Sequence, residues 1–282
     1  MKEKIMKVLL FVSAALSICS AAAVILFLLY KGIPAIREIG AAEFISGKSW
    51  KPTEGQFGIY PMILGSAYAT GGAVILGVGP SILTAVFLTW FCSKRVYKII
   101  KFTIHAMAAV PSVIYGLFAL MVIVPAIAEV TGGSGKNIIT ASATLAIMIM
   151  PTVISVSETA ISAVPGQIYK GALALGATHE KSIFAAVIPA AKSGLTTGAV
   201  LGMGRAVGET MAIVMVAGNQ PAVPESLFSG IRTMTANIVL EMGYAEDGLH
   251  REALIATGLV LMIFVLIAVL SISLFKERSG AL

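Results

Sequence analysis

The sequence predicts an all-α fold, a polytopic membrane bundle of six transmembrane helices. Of its 282 residues, 57% are hydrophobic and only 12% charged, against about 45–50% and about 25% in soluble domains. Mean hydropathy is +0.93. Six apolar stretches, about 8–30, 60–91, 102–129, 138–158, 193–217 and 253–275, each reach the roughly 20 residues needed to cross the hydrocarbon core. So few polar side chains cannot cover a water-facing surface, which excludes an ordinary soluble enzyme and a disordered chain. A nucleic-acid partner is excluded on the same ground, despite a net charge of +6 and a pI near 9.3; most of the chain is solvated by membrane lipid.

The first stretch opens on a basic segment, Met1 to Lys7, and contains the small residues Ala21 to Ala23, as a signal peptide would. Its apolar run from Val8 to Leu29 covers 22 residues, too long for a signal core. The segment 1–59 therefore reads as a retained transmembrane helix followed by an external segment. The second stretch is long enough to tilt. Pro111 and Pro125 are expected to kink the third. Glu158 closes the fourth, where a structural pairing with nearby polar groups is expected. The fifth carries two charges, and the sixth leads into a tail, 276–282.

Lysine and arginine decide which way such a bundle faces. Lys2, Lys4, Lys7, Lys94, Arg95, Lys98, Lys101, Lys170, Lys181, Lys192, Lys276 and Arg278 fall on one side. The other side has only Lys31, Arg37, Lys48, Lys51, Lys136, Arg232 and Arg251. The richer side is assigned to the cytoplasm, with both termini inside, and Lys94 to Lys101 reads as a positive anchor.

Enzymatic chemistry finds little support. Cys19 and Cys92 lie in or beside apolar runs and imply neither a disulfide framework nor a zinc site. His105, His179 and His250 fall in three different segments, without a nucleophile–base or metal constellation. Gly47-Lys48-Ser49 and Gly135-Lys136 look like fragments of a phosphate-binding loop, but Ala42 and Val130 stand where that pattern needs glycine. The chain is expected to bind no nucleotide, cofactor or metal itself.

Residues 194–216, read as one helix, place Arg205, Glu209, Gly198 and Gly202 on one arc, with Gly204 and Gly208 at its edge. Glycines let helices approach closely in lipid, and they can equally clear space along a water-filled path. Arg205 lies about 20 Å from Lys192 at 1.5 Å per residue, near mid-membrane, where a charge costs about 2.5–3.5 kcal/mol or more. Glu209, four positions on, shares its helix face and would offset part of that cost. Two readings stay open: a structural ion pair locking helices together, or an anion path in which the guanidinium meets a tetrahedral oxyanion.

The loop from Val164 to Lys192 is predicted to form two short helices, separated at Gly176 and stopped before Pro189. Ala172, Gly176, Ile188 and Pro189 stand at the spacing of the coupling-loop signature of bacterial ABC importer permeases, which this loop resembles. Lys170, Gly171 and Ala186 depart from that signature, Lys170 replacing its glutamate. The stretch Gly202-Met203-Gly204-Arg205-Ala206-Val207-Gly208-Glu209-Thr210-Met211-Ala212, with Gly218-Asn219, is similar to the fifth-span signature of phosphate importer permeases. Val110 to Gly116 is similar to another stretch of that family. Trp50-Lys51-Pro52, with Phe57 to Pro61 and Gly65, looks like the PstC type.

The resemblance implies a type I ABC importer permease fold, with 60–275 as the permease core and 165–191 as the coupling loop. It implies ATP-driven import of inorganic phosphate by alternating access. Arg205, Glu209, Gly202, Gly208 and Thr210 would line the substrate pathway, while Lys170, Gly171, Ala172, Gly176, Ala177, Ile188 and Pro189 would couple to the ATPase. The partners it implies are a second, homologous permease subunit of PstA type, two cytoplasmic ATPase subunits of PstB type holding ATP and Mg, and an external phosphate-binding protein of PstS type. The outer segments 31–59 and 218–252 would meet that binding protein. Against it stand a permease for molybdate or sulfate, which the Arg205–Glu209 signature disfavours, and an ion-coupled secondary transporter, which leaves the coupling-loop spacing unexplained.

Overall fold

A computed structural model describes residues Lys2–Ser279, with side chains described for residue 4 and for 6–271. The side chains of Lys2, Lys276 and Arg278, counted above for orientation, and the tail beyond Ser279 lie outside the described residues. In chain order the elements are α1 (Lys2–Ile39), α2 (Ala41–Ser46), β1 (Trp50–Lys51), β2 (Gln56–Phe57), α3 (Tyr60–Val86), α4 (Lys94–Ala109), α5 (Ser112–Phe118), α6 (Val124–Thr131) and α7 (Ile138–Ser162). Then follow α8 (Gly166–Ala174), α9 (His179–Ser182), α10 (Ile188–Gly208), α11 (Met211–Val216), α12 (Met234–Met242) and α13 (Leu249–Ser279). Six helices among the described residues are long and apolar enough to cross a membrane: Met6–Ile39, Tyr60–Phe91, Ser112–Thr131, Ile138–Ser162, His179–Gly208 and Leu249–Ser271. Among the described residues, the hairpin β1–β2, pairing Trp50 with Phe57, and an isolated bridge between Gly218 and Ile231 depart from all-α.

Three spans differ most in extent from the sequence expectation, each for a visible reason. The first continues beyond residue 30 to Ile39, because Ala35, Ile36 and Ile39 pack with Ala253 and Leu254 of α13. The third is broken at Val110 and Pro111, both in extended backbone; a residue before proline is pushed out of the helical region. Its lower part belongs to α4, where Ile104 packs with Ile154 and Ile161 of α7. The fifth starts earlier and ends earlier than 193–217, running His179–Gly208.

Proline placement explains part of that shift. Pro189 does not stop a helix: the π-helical turn Ile183–Val187 joins α9 to α10, with Pro189 in the first turn of α10. A second π turn, Ala119–Ile123, precedes Pro125 in the same way. Proline cannot donate to the preceding turn and its ring crowds the carbonyl four residues back. A widened turn relieves both problems without ending the helix. A third π turn, Phe87–Phe91, finishes the second span.

The core has three clusters along the spans. Phe44, Trp50, Phe57, Met62, Met234 and Leu254 fill the hairpin end. Leu145, Met148, Ile149, Val153, Ile213 and Val216 fill the middle. Leu88, Ile104, Ile154, Ile161, Ile183 and Val187 fill the end that carries α8. The hairpin end also accounts for the Gly47-Lys48-Ser49 stretch: a Cβ on Gly58 would collide with the Gly47 carbonyl. These glycines let two backbones touch, which is a packing role.

Candidate translocation site and coupling face

Arg205 sits half-buried in the last turn of α10, and its Nη1 donates to the Thr152 Oγ1 of α7 at 3.1 Å. The sequence expectation that Glu209 shares its helix face is corrected here. α10 ends at Gly208, Glu209 is extended at φ −72° and ψ 133°, and among the described residues no ion pair joins the two charges. Glu209 instead turns to α11, its Oε1 accepting from the Ala212 N–H at 3.2 Å. Its backbone oxygen accepts from Thr235 Oγ1 of α12 at 3.0 Å. The break gives each charge its own helix end, a cation among the partnerless carbonyls of α10 and an anion on the partnerless N–H groups of α11.

The glycines of α10 divide into two sets. Gly194 and Gly202 face α7 directly, and a Cβ on Gly202 would lie 2.6 Å from Val153 Cγ2. A Cβ on Gly194 would meet Ala160, and one on Gly198 would lie 3.3 Å from Ser157 Oγ. Gly202, expected on the substrate pathway, is thus a buried packing residue. A Cβ on Gly204 or Gly208 would meet nothing within 4 Å, so the helix has open space beside it at these two positions, one before and three after Arg205 in the chain. Thr210 is half-exposed at the break, its hydroxyl turned to the Gly208 carbonyl at 3.4 Å.

Sequence reasoning missed Thr152 and Tyr115. Tyr115 donates to the Met107 carbonyl at 2.8 Å, bridging the break in the third span. Close approach of Gly116 to Ala212 Cα, which a Cβ would meet at 2.8 Å, places α5 against α11. Nothing in a helical wheel of the fifth span points to residues on other spans.

A second polar cluster stands at the hairpin end. Glu241, 6% exposed, accepts from Trp50 Nε1 at 2.6 Å and Arg232 Nη1 at 2.7 Å, and pairs with His250 Nε2 at 3.0 Å. Arg232 also donates to the Asn219 carbonyl and to Asn237 Oδ1. Sequence alone gives Glu241 no role beyond membership of the segment 218–252. The cluster fixes α12, and α12 delivers Thr235 to the Glu209 backbone.

At the other end, Glu158 is 8% exposed and pairs with Lys101 Nζ, while Tyr97 donates to it at 2.7 Å. The expected structural role is what the geometry shows. That hydrogen bond, then burial, pushes the Tyr97 hydroxyl pKa above its ordinary value.

α8 ends in a glycine turn. Gly176, at φ +83°, donates to Leu173 O, and Ala177 donates to Ala172 O, the paired bonds of a Schellman cap. This is the physical reason for a glycine at that place in the signature. Lys170 and Gly171 are exposed and Ala172 and Ala177 half-buried. Ile188 packs on the adjoining core, while Pro189 is exposed. The signature therefore spans two elements, with its last two residues in the continuous fifth span.

Residues 77–279 match the family described as binding-protein-dependent transport system inner membrane component. The chain belongs to that family. This permease is 33% identical over 271 residues to a probable ABC transporter permease protein YqgH of Bacillus subtilis, covering 94% of this chain and 88% of the relative. It is 33% identical to the phosphate transport system permease protein PstC of Haemophilus influenzae, covering 86% and 82% respectively. Among solved structures, the permease resembles the MetNI methionine ABC transporter in an inward-facing form, at a TM-score of 0.59 and 14% identity, covering 82% of this chain and 97% of that one. A bacterial ABC transporter importing alginate matches at a TM-score of 0.60 and 14% identity, covering 93% and 95%. The permease is a multi-pass membrane protein with the ABC importer permease fold.

Proposed function

We propose that this chain is a transmembrane subunit of an ATP-driven importer that moves inorganic phosphate across the cytoplasmic membrane by alternating access. The carrying observation is the Arg205 guanidinium, held by Thr152 beside the open space at Gly204 and Gly208, in a chain similar to PstC permeases. One N–H edge is engaged by the threonine, and the fork keeps further donors for a tetrahedral oxyanion. Separation from Glu209 leaves that charge available rather than neutralised by a neighbour. The chain itself contributes no covalent chemistry.

In this reading the termini and α8 face the cytoplasm, where two PstB-type ATPases hold ATP and Mg. A PstA-type permease completes the pathway, and a PstS-type binding protein delivers phosphate at the hairpin end. α8 with Lys170, Gly171, Ala172, Gly176 and Ala177 is the coupling helix; Ile188 and Pro189 carry its motion into the fifth span. Transport requires the outward and inward states to differ in phosphate affinity.

The test is ATP-dependent phosphate uptake by the whole complex in proteoliposomes, for the parent and for Arg205→Gln, with sulfate and molybdate as competitors. Loss of uptake in an assembled Arg205→Gln complex is the expected result. Equal competition by sulfate or molybdate would overturn the phosphate assignment, and undiminished uptake would reduce Arg205 to a structural residue.

A further inference from the structure

No residue of α8 is buried, and Tyr169 and Ala172 are its only half-buried ones. Attachment therefore rests largely on one side chain. The Tyr169 ring lies 4.6 Å from that of Trp90, in the π turn ending the second span. Its hydroxyl hydrogen-bonds His179 Nδ1 at 2.8 Å, and His179 opens the fifth span. The His179 ring in turn lies 5.1 Å from Phe91, edge to face. Trp90 and Tyr169 both pack against the buried cluster to which Ile183 and Val187 belong. Four rings thus join three elements: the end of the second span, α8, and the start of the fifth. Such ring pairs add directional preference to burial.

The chain between Tyr169 and His179 is closed at its tip by the Gly176 cap and at its base by the Tyr169–His179 bond. Beyond His179 the helix runs on through Ile183–Val187 to Gly208, carrying Arg205 in its last turn. A helix end clamped to α8 and the guanidinium therefore share one rod, about 45 Å long at 1.5 Å per residue.

We propose that Tyr169, Trp90 and His179 are positioning residues forming a clamp that makes α8 move as one body with the second and fifth spans. The proposal rests on the reading of α8 as the coupling helix. With the clamp opened, α8 swivels about its two ends, and ATP hydrolysis continues while displacement no longer reaches Arg205.

The experiment reconstitutes the full complex with Tyr169→Phe, His179→Phe and the double variant, each keeping a ring and losing only the hydrogen bond, and measures phosphate uptake against ATP hydrolysed in the same vesicles. Tyr169→Phe keeps the ring stack and removes only the hydroxyl. Each single variant is expected to lower the uptake-to-hydrolysis ratio about fivefold, the equilibrium weight of one hydrogen bond. The double variant is expected to fall no further, since both remove the same bond. In parallel, Leu175→Cys, at a side chain 91% exposed, is cross-linked to the ATPase subunit in each background. Persistent cross-linking with a lowered, non-additive ratio supports the clamp. Persistent cross-linking with an unchanged or additively lowered ratio overturns it alone. Failure to cross-link in the otherwise parental complex overturns the coupling-helix reading, and the clamp with it.

Discussion

Arg205 is tolerated inside the bundle because its surroundings supply what water would. Thr152 takes one N–H at 3.1 Å, and the last turn of α10 presents carbonyls without helical partners. Lysine in that place keeps the charge but loses the planar fork, so Arg205→Lys is expected to slow phosphate uptake about tenfold or more, with the complex assembled. Thr152→Val removes one partner of the guanidinium. An apparent KM for phosphate raised about fivefold is expected, with Thr152→Ser restoring it, read from initial uptake rates. An unchanged KM in Thr152→Val would show that the bond does not orient Arg205 for substrate.

Among the elements, α10 shows how one residue type takes two roles along a single helix. Gly202 meets Val153 where any side chain collides, whereas Gly204 faces open space. Gly202→Val is expected to destabilise the permease by about 1–3 kcal/mol through overpacking, while Gly204→Ala leaves it unchanged or stabilises it by up to about 1 kcal/mol. Thermal unfolding of the two variants in the same detergent decides the matter; equal midpoints would contradict the division. At the end of α8, Gly176 holds a left-handed turn at φ +83°. Gly176→Ala is expected to cost about 1–2 kcal/mol locally, seen as faster amide exchange over residues 166–178 with the spans still protected.

At the scale of the whole molecule, charge and burial are arranged by depth. The side chains of α1 that lie in the membrane are almost all exposed as far as Leu26, while its far end packs on α13. The exposed half, apart from Ser13, Ser17 and Ser20, whose surroundings are apolar, is suited to lipid. The Glu241 cluster ties hairpin, α12 and α13 together. Arg232→Met would leave Glu241, 6% exposed, with only His250 and Trp50 to offset its charge, at an expected cost of about 3 kcal/mol. Measured as a fall in unfolding midpoint, a negligible change would show that the cluster is held from elsewhere. Orientation has its own check. In a variant lacking Cys19 and Cys92, Glu54→Cys should react with an impermeant maleimide on intact cells, and Leu175→Cys only after permeabilisation. The reverse pattern would invert the assigned topology.

The chain's apolar lengths and its uneven lysine and arginine by themselves determined a six-span bundle and a proposed orientation. They could do so because spanning a bilayer obliges each segment to satisfy its own backbone, a local property that a single stretch of sequence displays. The Gly176 turn was legible for the same reason, since a left-handed helix end is chosen by a residue and its near neighbours. Whether the fifth span continued past Gly208 was not. A helical wheel presumes an unbroken helix, and the break turned the Glu209 side chain to the start of α11 and set Arg205 against a residue 53 positions away. Thr152 and the Trp50–Glu241–His250 cluster likewise join segments remote in sequence. Only tertiary packing decided them, because buried polar groups take whatever partner the fold brings within hydrogen-bond reach.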